Sequence, residues 1–118
     1  MVTDALGVLA AQVDAWNAGE LDGYCDRCSP TISYLSAAGL CVGRDALRAR
    51  YRAAYADRAS MGHLTVEVVS ATKGASQVTV VARWSIVGPQ PHSGMALLVL
   101  AMEDGVWCLT HDATLTTQ

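Results

Sequence analysis

The order of hydrophobic patterns predicts an α+β fold, with helices from the first half packed on one face of a curved antiparallel sheet. Three observations carry this expectation. Leu6, Leu9, Val13 and Trp16 recur at helical spacing near the start. From His63 onward, β-prone runs are separated by the turn signals Lys73-Gly74, Gly88-Pro89-Gln90-Pro91 and Glu103-Asp104-Gly105. Met95 to Met102 is almost continuously apolar, as a strand covered on both faces would be. A sheet curved over helices encloses a cavity, so an internal small-molecule pocket belongs to the same expectation.

The elements follow in order. Thr3 or Asp4 can cap a first helix, and Asn17-Ala18-Gly19 ends it, with Gly19 suited to a left-handed stop. A short second helix starts at Glu20, with Leu21, Tyr24, Cys25 and Cys28 as its inner face, and Ser29-Pro30 stops it. Ile32 to Leu35 reads as a strand, Ser36 to Gly39 as a turn, and Leu40-Cys41-Val42 as the returning arm of a hairpin. A third helix runs from Arg44 to Ala56. Leu47, Tyr51 and Tyr55 mark its buried stripe, and Arg44, Arg48, Arg50 and Arg52 its solvated side, where one member alone has a specific task. Four strands complete the chain: His63–Ala71, Gln77–Val87, Met95–Met102 and a last one from Gly105 to Ala113.

The 118 residues suit a single domain spanning 1–118, and 52% hydrophobic against 16% charged residues can fill a core. With no Phe, packing falls to three Trp, four Tyr and the aliphatic residues. A net charge of −3 argues against a nucleic-acid partner. No apolar run is long enough to span a membrane, and Met1-Val2-Thr3-Asp4 lacks a signal peptide's basic start. Together these imply a cytoplasmic chain. Its four cysteines are then free and mostly buried. Cys25-Asp26-Arg27-Cys28 has C-x-x-C spacing but no second such pair, so it reads as two small apolar side chains on a helix. No nucleotide-binding or serine-hydrolase signature is present, and three scattered histidines do not make a metal set. Neither a cofactor nor a metal is expected.

The last strand places a titratable pair, His111-Asp112, inside an apolar run. Strict alternation puts Trp107, Leu109, His111 and Ala113 on one face and Cys108, Thr110 and Asp112 on the other. On that pattern His111 faces the pocket as acid, base or donor, unless it is a core histidine bonded to a carbonyl or a Tyr hydroxyl. Asp112 points away and pairs with an arginine, unless a β-bulge rotates it inward. Arg83, mid-strand, either binds an anionic group in the pocket or pairs with Asp112 or Glu67. Tyr34, Tyr51 and Tyr55 are core aromatics or send hydroxyls into the cavity. Trp16 and Trp107 are pocket walls or core. His63 lies at the pocket mouth or in solvent, and His92 in an exposed loop.

Several of these stretches are familiar. Trp16-Asn17-Ala18-Gly19-Glu20-Leu21-Asp22-Gly23 resembles a helix junction of the nuclear transport factor 2-like superfamily. Gly43-Arg44-Asp45-Ala46-Leu47 resembles the start of its third helix. Met61-Gly62-x-Leu64, Ala82-Arg83-Trp84 and Gly105-x-Trp107-x-Leu109-x-His111-Asp112 resemble strands of its SnoaL-like and DUF4440 (SgcJ-type) members. The resemblance covers nearly the whole chain. It implies a cone-shaped, cystatin-like sheet wrapped around the N-terminal helices, with an internal pocket. The convex side of such a sheet still carries apolar residues, which predicts that it buries itself in a homodimer. The resemblance also brings Arg83 inward, by analogy with the association domain of calmodulin-dependent kinase II, where the matching Arg sits in a pocket for anionic ligands.

The departures from that pattern narrow the chemistry. Close relatives carry a second His where this chain has Ala113, which would leave a roomier pocket. Ketosteroid isomerases of this fold use a Tyr and two Asp at positions that fall near Gln12, Ser36 and Leu98, none of which can act as acid or base. The Asp-Arg-Asp set of limonene-type epoxide hydrolases is broken at Ser85. The expected function is a small-molecule pocket protein for a hydrophobic or anionic ligand. It would be a cofactor-independent acid–base enzyme, such as an isomerase, cyclase or dehydratase of a carbonyl compound, with His111 and Arg83 in catalytic roles. The alternative is a non-catalytic homodimer that binds a ligand or assembles a partner.

Overall fold

The computed structural model describes residues 1–117. Four helices and six strands follow one another as α1 (Val2–Asn17), α2 (Leu21–Asp26), β1 (Cys28–Ser36), β2 (Gly39–Val42), α3 (Arg44–Ala54), α4 (Arg58–Met61), β3 (His63–Lys73), β4 (Gln77–Val87), β5 (His92–Glu103) and β6 (Val106–Thr116). The strands form one curved, unclosed sheet in the order β2-β1-β6-β5-β4-β3. One pair departs from the antiparallel pattern: β1 and β6 run parallel.

α1 starts one turn earlier than its capping residues suggested, with Met1 at the N-cap and no side-chain cap. Its apolar stripe buries Ala5, Val8, Leu9, Gln12 and Trp16. Gly19, at a φ of 77°, turns the chain out of the helix. Asn17 then docks the helix end on the sheet. Its amide accepts from Leu64 N at 2.8 Å and donates to Leu64 O at 3.0 Å, imitating a neighbouring strand.

β1 begins at Cys28, so Cys28 is not helical as its spacing to Cys25 suggested. Pro30 lies where the β1–β6 register slips, between the pairs Cys28–Leu109 and Ser33–His111, so its missing N–H breaks no ladder. The arginines of α3 work harder than a solvated face would. Arg48 reaches Asp26 at 2.8 Å and Asp45 at 3.1 Å, Arg52 reaches Asp22 at 2.6 Å, and Arg44 donates to the Cys28 carbonyl at 3.3 Å. α4 was not legible as a helix. Its Asp57–Ser60 capping box holds a single turn before β3.

The core lies between the concave face of the sheet and α1 and α3, with Ile32, Leu47, Val78, Val80 and Leu100 wholly or almost wholly buried. A second cluster of Trp16, Met61, Leu64 and Ile86 continues it toward the open end. Among the described residues, no helix is long and apolar enough to cross a membrane.

Candidate functional site

Between the helices and the concave sheet lies a cavity of about 360 Å³. One wall is aromatic. Trp16 of α1 meets Tyr24 edge-on at 5.2 Å, Tyr55 at 5.1 Å and Tyr51 at 5.9 Å, and its indole N–H donates to the Met61 carbonyl at 3.3 Å. The opposite wall is the sheet, where the paired small residues Ala82 and Ala96 leave a flat floor. Tyr34, Ser36 and the turn residues Ala37 and Ala38 line one side of the opening, and Trp84 and His92 the other.

Among the described residues, one carboxyl enters this cavity, that of Asp112, and its Oδ1 is sealed from solvent with no hydrogen-bond partner. Burial pushes its pKa from the usual carboxylate range up to about 7. Asp112 sits in register with Tyr34 on one side and Leu98 on the other. Burial also raises the phenols of Tyr24, Tyr34 and Tyr51, and the neighbouring Asp112 carboxylate adds to the rise. These hydroxyls therefore stay protonated and available as donors around an acid poised near neutrality.

Strict alternation in β6 places Asp112 outward, and the structure corrects this. Val99 pairs with His111 but Leu100 pairs with Leu109, so Thr110 is an extra residue, a β-bulge. The bulge is pinned by its own side chain: the Thr110 hydroxyl donates to the Val99 carbonyl at 3.1 Å and contacts His111 Nδ1 at 2.9 Å. One inserted residue reverses the phase beyond it. Leu109 and Asp112 both line the cavity, while His111 is exposed on the convex face. Ala113 shares that face, so it enlarges no pocket.

Arg83 is the second correction. It lies on the convex face, ion-paired with its register partner Glu67, and Trp84 points inward instead. β4 has no bulge, so Val78, Val80, Ala82, Trp84 and Ile86 hold the inner phase together. His63 is exposed at the start of β3 and does not reach the cavity. Trp107 packs against the core outside the cavity lining, two residues before Leu109 near the start of β6. Trp16, Tyr34, Tyr51, Tyr55 and Asp112 do line the cavity.

Other lining residues carried less signal. His92 is not in solvent. β5 begins with it, its Nδ1 contacts the Gln90 carbonyl at 2.7 Å, its Nε2 lies 3.5 Å from the Tyr55 hydroxyl, and its ring meets Trp84 edge-on. Gln12 is buried in α1, and its amide donates to the Tyr24 carbonyl at 3.2 Å. Gln12, Ser36 and Leu98, the positions matched to ketosteroid isomerase catalysts, all line the cavity. Leu98's register partner on the next strand is Asp112, so a carboxyl stands beside that position.

The cysteines are free, and burial pushes the thiols of Cys25 and Cys28 up to about 11 and about 12. Thiols held so far above neutral are poor nucleophiles and metal ligands.

With helices, sheet and cavity in this arrangement, the family model of the SnoaL-like domain matches residues 9–110. The chain belongs to the SnoaL-like family. No curated protein matches it. Among solved structures, this SnoaL-like domain is similar to a nuclear transport factor 2-like protein of unknown function from Shewanella oneidensis. The two share 27% identity with a TM-score of 0.90, covering 98% of this chain and 99% of that one. A ketosteroid isomerase-like protein from Erwinia carotovora atroseptica shares the fold at 14% identity and a TM-score of 0.80, covering 99% and 96%. So does a putative calcium/calmodulin-dependent protein kinase type II association domain from Thiobacillus denitrificans, at 20% identity and 0.75, covering 94% and 93%. These likenesses, with one to a domain of cystatin-like fold from Nostoc punctiforme at 19% identity and a TM-score of 0.79, covering 99% and 78%, establish the α+β, cystatin-like architecture.

Proposed function

We propose that this SnoaL-like domain binds a small carbonyl compound in its cavity and moves a proton on it without a cofactor, with Asp112 as the acid–base group. The observation that carries this reading is the unpartnered Asp112 carboxyl in an apolar, tyrosine-lined cavity. A carboxyl titrating near pH 7 suits both halves of a proton shuttle. As carboxylate, Asp112 removes a proton from the carbon next to the carbonyl, and the electron pair moves onto the carbonyl oxygen. A hydroxyl from the Tyr24, Tyr34 and Tyr51 group donates a hydrogen bond to that enolate oxygen. Protonated Asp112 then returns the proton to the product carbon. The net change is an isomerisation by proton transfer from one carbon to another, with no oxidant required. Within the family, the run Gly105-x-Trp107-x-Leu109-x-His111-Asp112 favours kinship with the SgcJ-type members.

The test is deuterium incorporation next to the carbonyl, followed by NMR in D₂O over a panel of β,γ-unsaturated and 1,3-dicarbonyl compounds. Wild type incorporates the label, and Asp112→Asn slows it by about 10²-fold or more. Equal rates in folded wild type and variant overturn the proposal.

A second reading is favoured by a different observation, the apolar convex face. Leu35 and Leu97 flank Ala113 in register, Leu40 pairs with Leu35 and Leu115 with Met95. Leu35, Leu40, Leu97 and Leu115 are all exposed. A patch of this kind suits a homodimer. Sedimentation at tens of micromolar tests it: a dimer that Leu97→Glu dissociates supports the reading, and a wild-type monomer sinks it.

A further inference from the structure

We infer that the cavity mouth carries an anion-binding subsite built on Arg50, and that the natural ligand has a flat apolar body ending in a carboxylate. The inference rests on the cavity being a ligand site, but not on Asp112 being catalytic. Among the described residues, the charges of α3 separate Arg50 from its neighbours. Arg48 and Arg52 are held by Asp22, Asp26 and Asp45, and Arg44 is turned to the Cys28 carbonyl. Arg50 has no carboxylate. Its guanidinium lies 5.5 Å from the centre of the Tyr34 ring and donates to the Ser36 hydroxyl at 3.3 Å.

Both of those partners line the cavity, and Arg50, itself outside the lining, stands half-buried behind them. A neutral hydroxyl and a ring face use little of a guanidinium's donor fork, which matches a planar two-oxygen anion. The cavity's own carboxyl does not fill the role, since Asp112 forms no ion pair with Arg50 and its Oδ1 has no hydrogen-bond partner among the described residues. The small residues Ala82 and Ala96 and the rings of Trp16 and Tyr51 all line the cavity, so an apolar aromatic body suits it. A ligand seated there presents its inner end toward Asp112 and its charged end to Arg50.

Two fluorescent probes with one skeleton test this. 8-Anilinonaphthalene-1-sulfonate carries an anion that N-phenyl-1-naphthylamine lacks. In wild type the anionic probe binds more tightly than the neutral one. Arg50→Gln weakens the anionic probe by about ten-fold and leaves the neutral probe nearly unchanged, which also reports that fold and cavity persist. Equal weakening of both probes, or no weakening of either, overturns the subsite. Failure of wild type to bind either probe overturns the ligand cavity itself, and deuterium incorporation then decides separately whether Asp112 is active.

Discussion

The Thr110 hydroxyl donates to the Val99 carbonyl at 3.1 Å, and this single contact spans the bulge that turns Asp112 toward the cavity. Thr110→Val keeps the shape and removes the hydroxyl, so the carbonyl loses a partner. The expected cost is about 1 kcal/mol. Because the bulge sets the orientation of Asp112, the variant also lowers the Asp112 pKa toward an ordinary carboxylate. Chemical denaturation checks the first outcome, and NMR titration of the carboxyl carbon the second.

Stability should depend on pH through Asp112. Its folded pKa, about 7, lies above that of an unfolded aspartate. Between those values the folded state binds more protons than the unfolded state, so stability falls as pH rises through that window. Above pH 7 the buried charge is fully present and the penalty is complete. Asp112→Asn removes it, and the variant should gain on wild type by roughly 2–4 kcal/mol between pH 4 and pH 8. Denaturation midpoints for both proteins at the two pH values check this. A constant difference would show that Asp112 titrates normally.

Gly94 allows two strands to approach closely at the open end of the floor. A Cβ there would lie 1.8 Å from the Leu115 carbonyl oxygen, which is backbone and cannot swing away. Gly94→Ala should cost about 3 kcal/mol or more by forcing β5 and β6 apart. Thermal unfolding measures it.

His111→Ala should do little. The side chain is exposed, and its contact to Thr110 leaves the Thr110–Val99 bond in place. The expected change is within about 0.5 kcal/mol, with probe binding in the cavity unaltered. Parallel denaturation and fluorescence titrations check it.

Thiol labelling under native conditions should be ordered. Cys41 is half-buried, whereas Cys25, Cys28 and Cys108 are buried, with thiols raised by that burial. Cys41 should react first with a thiol reagent at pH 8, and Cys25 and Cys28 only as fast as the fold opens. Mass spectrometry of timed samples reads the order.

The helices α1, α2 and α3 and most of the strands were legible in the chain. Helical spacing marked Leu9, Trp16, Tyr51 and Tyr55 as inward-facing, but left open whether the rings were core or cavity wall. The inward face of β4 was not read from its alternation, because an analogy drew Arg83 inward. In the structure the more apolar set, Val78, Val80, Ala82, Trp84 and Ile86, takes the inner phase, and Arg83 keeps its charge in solvent beside Glu67. β6 was different. Its period of two is a local property of the backbone, but its phase against the core changes with one extra residue. That residue is defined by pairing with β5, a strand closed on β6 only in three dimensions. The sequence by itself determined the α+β class, the cavity between helices and sheet, and the opposition of His111 and Asp112. Only the tertiary structure decided which of the two faces inward, because the bulge at Thr110 exists only once β6 pairs with β5 and the Thr110 hydroxyl finds the Val99 carbonyl.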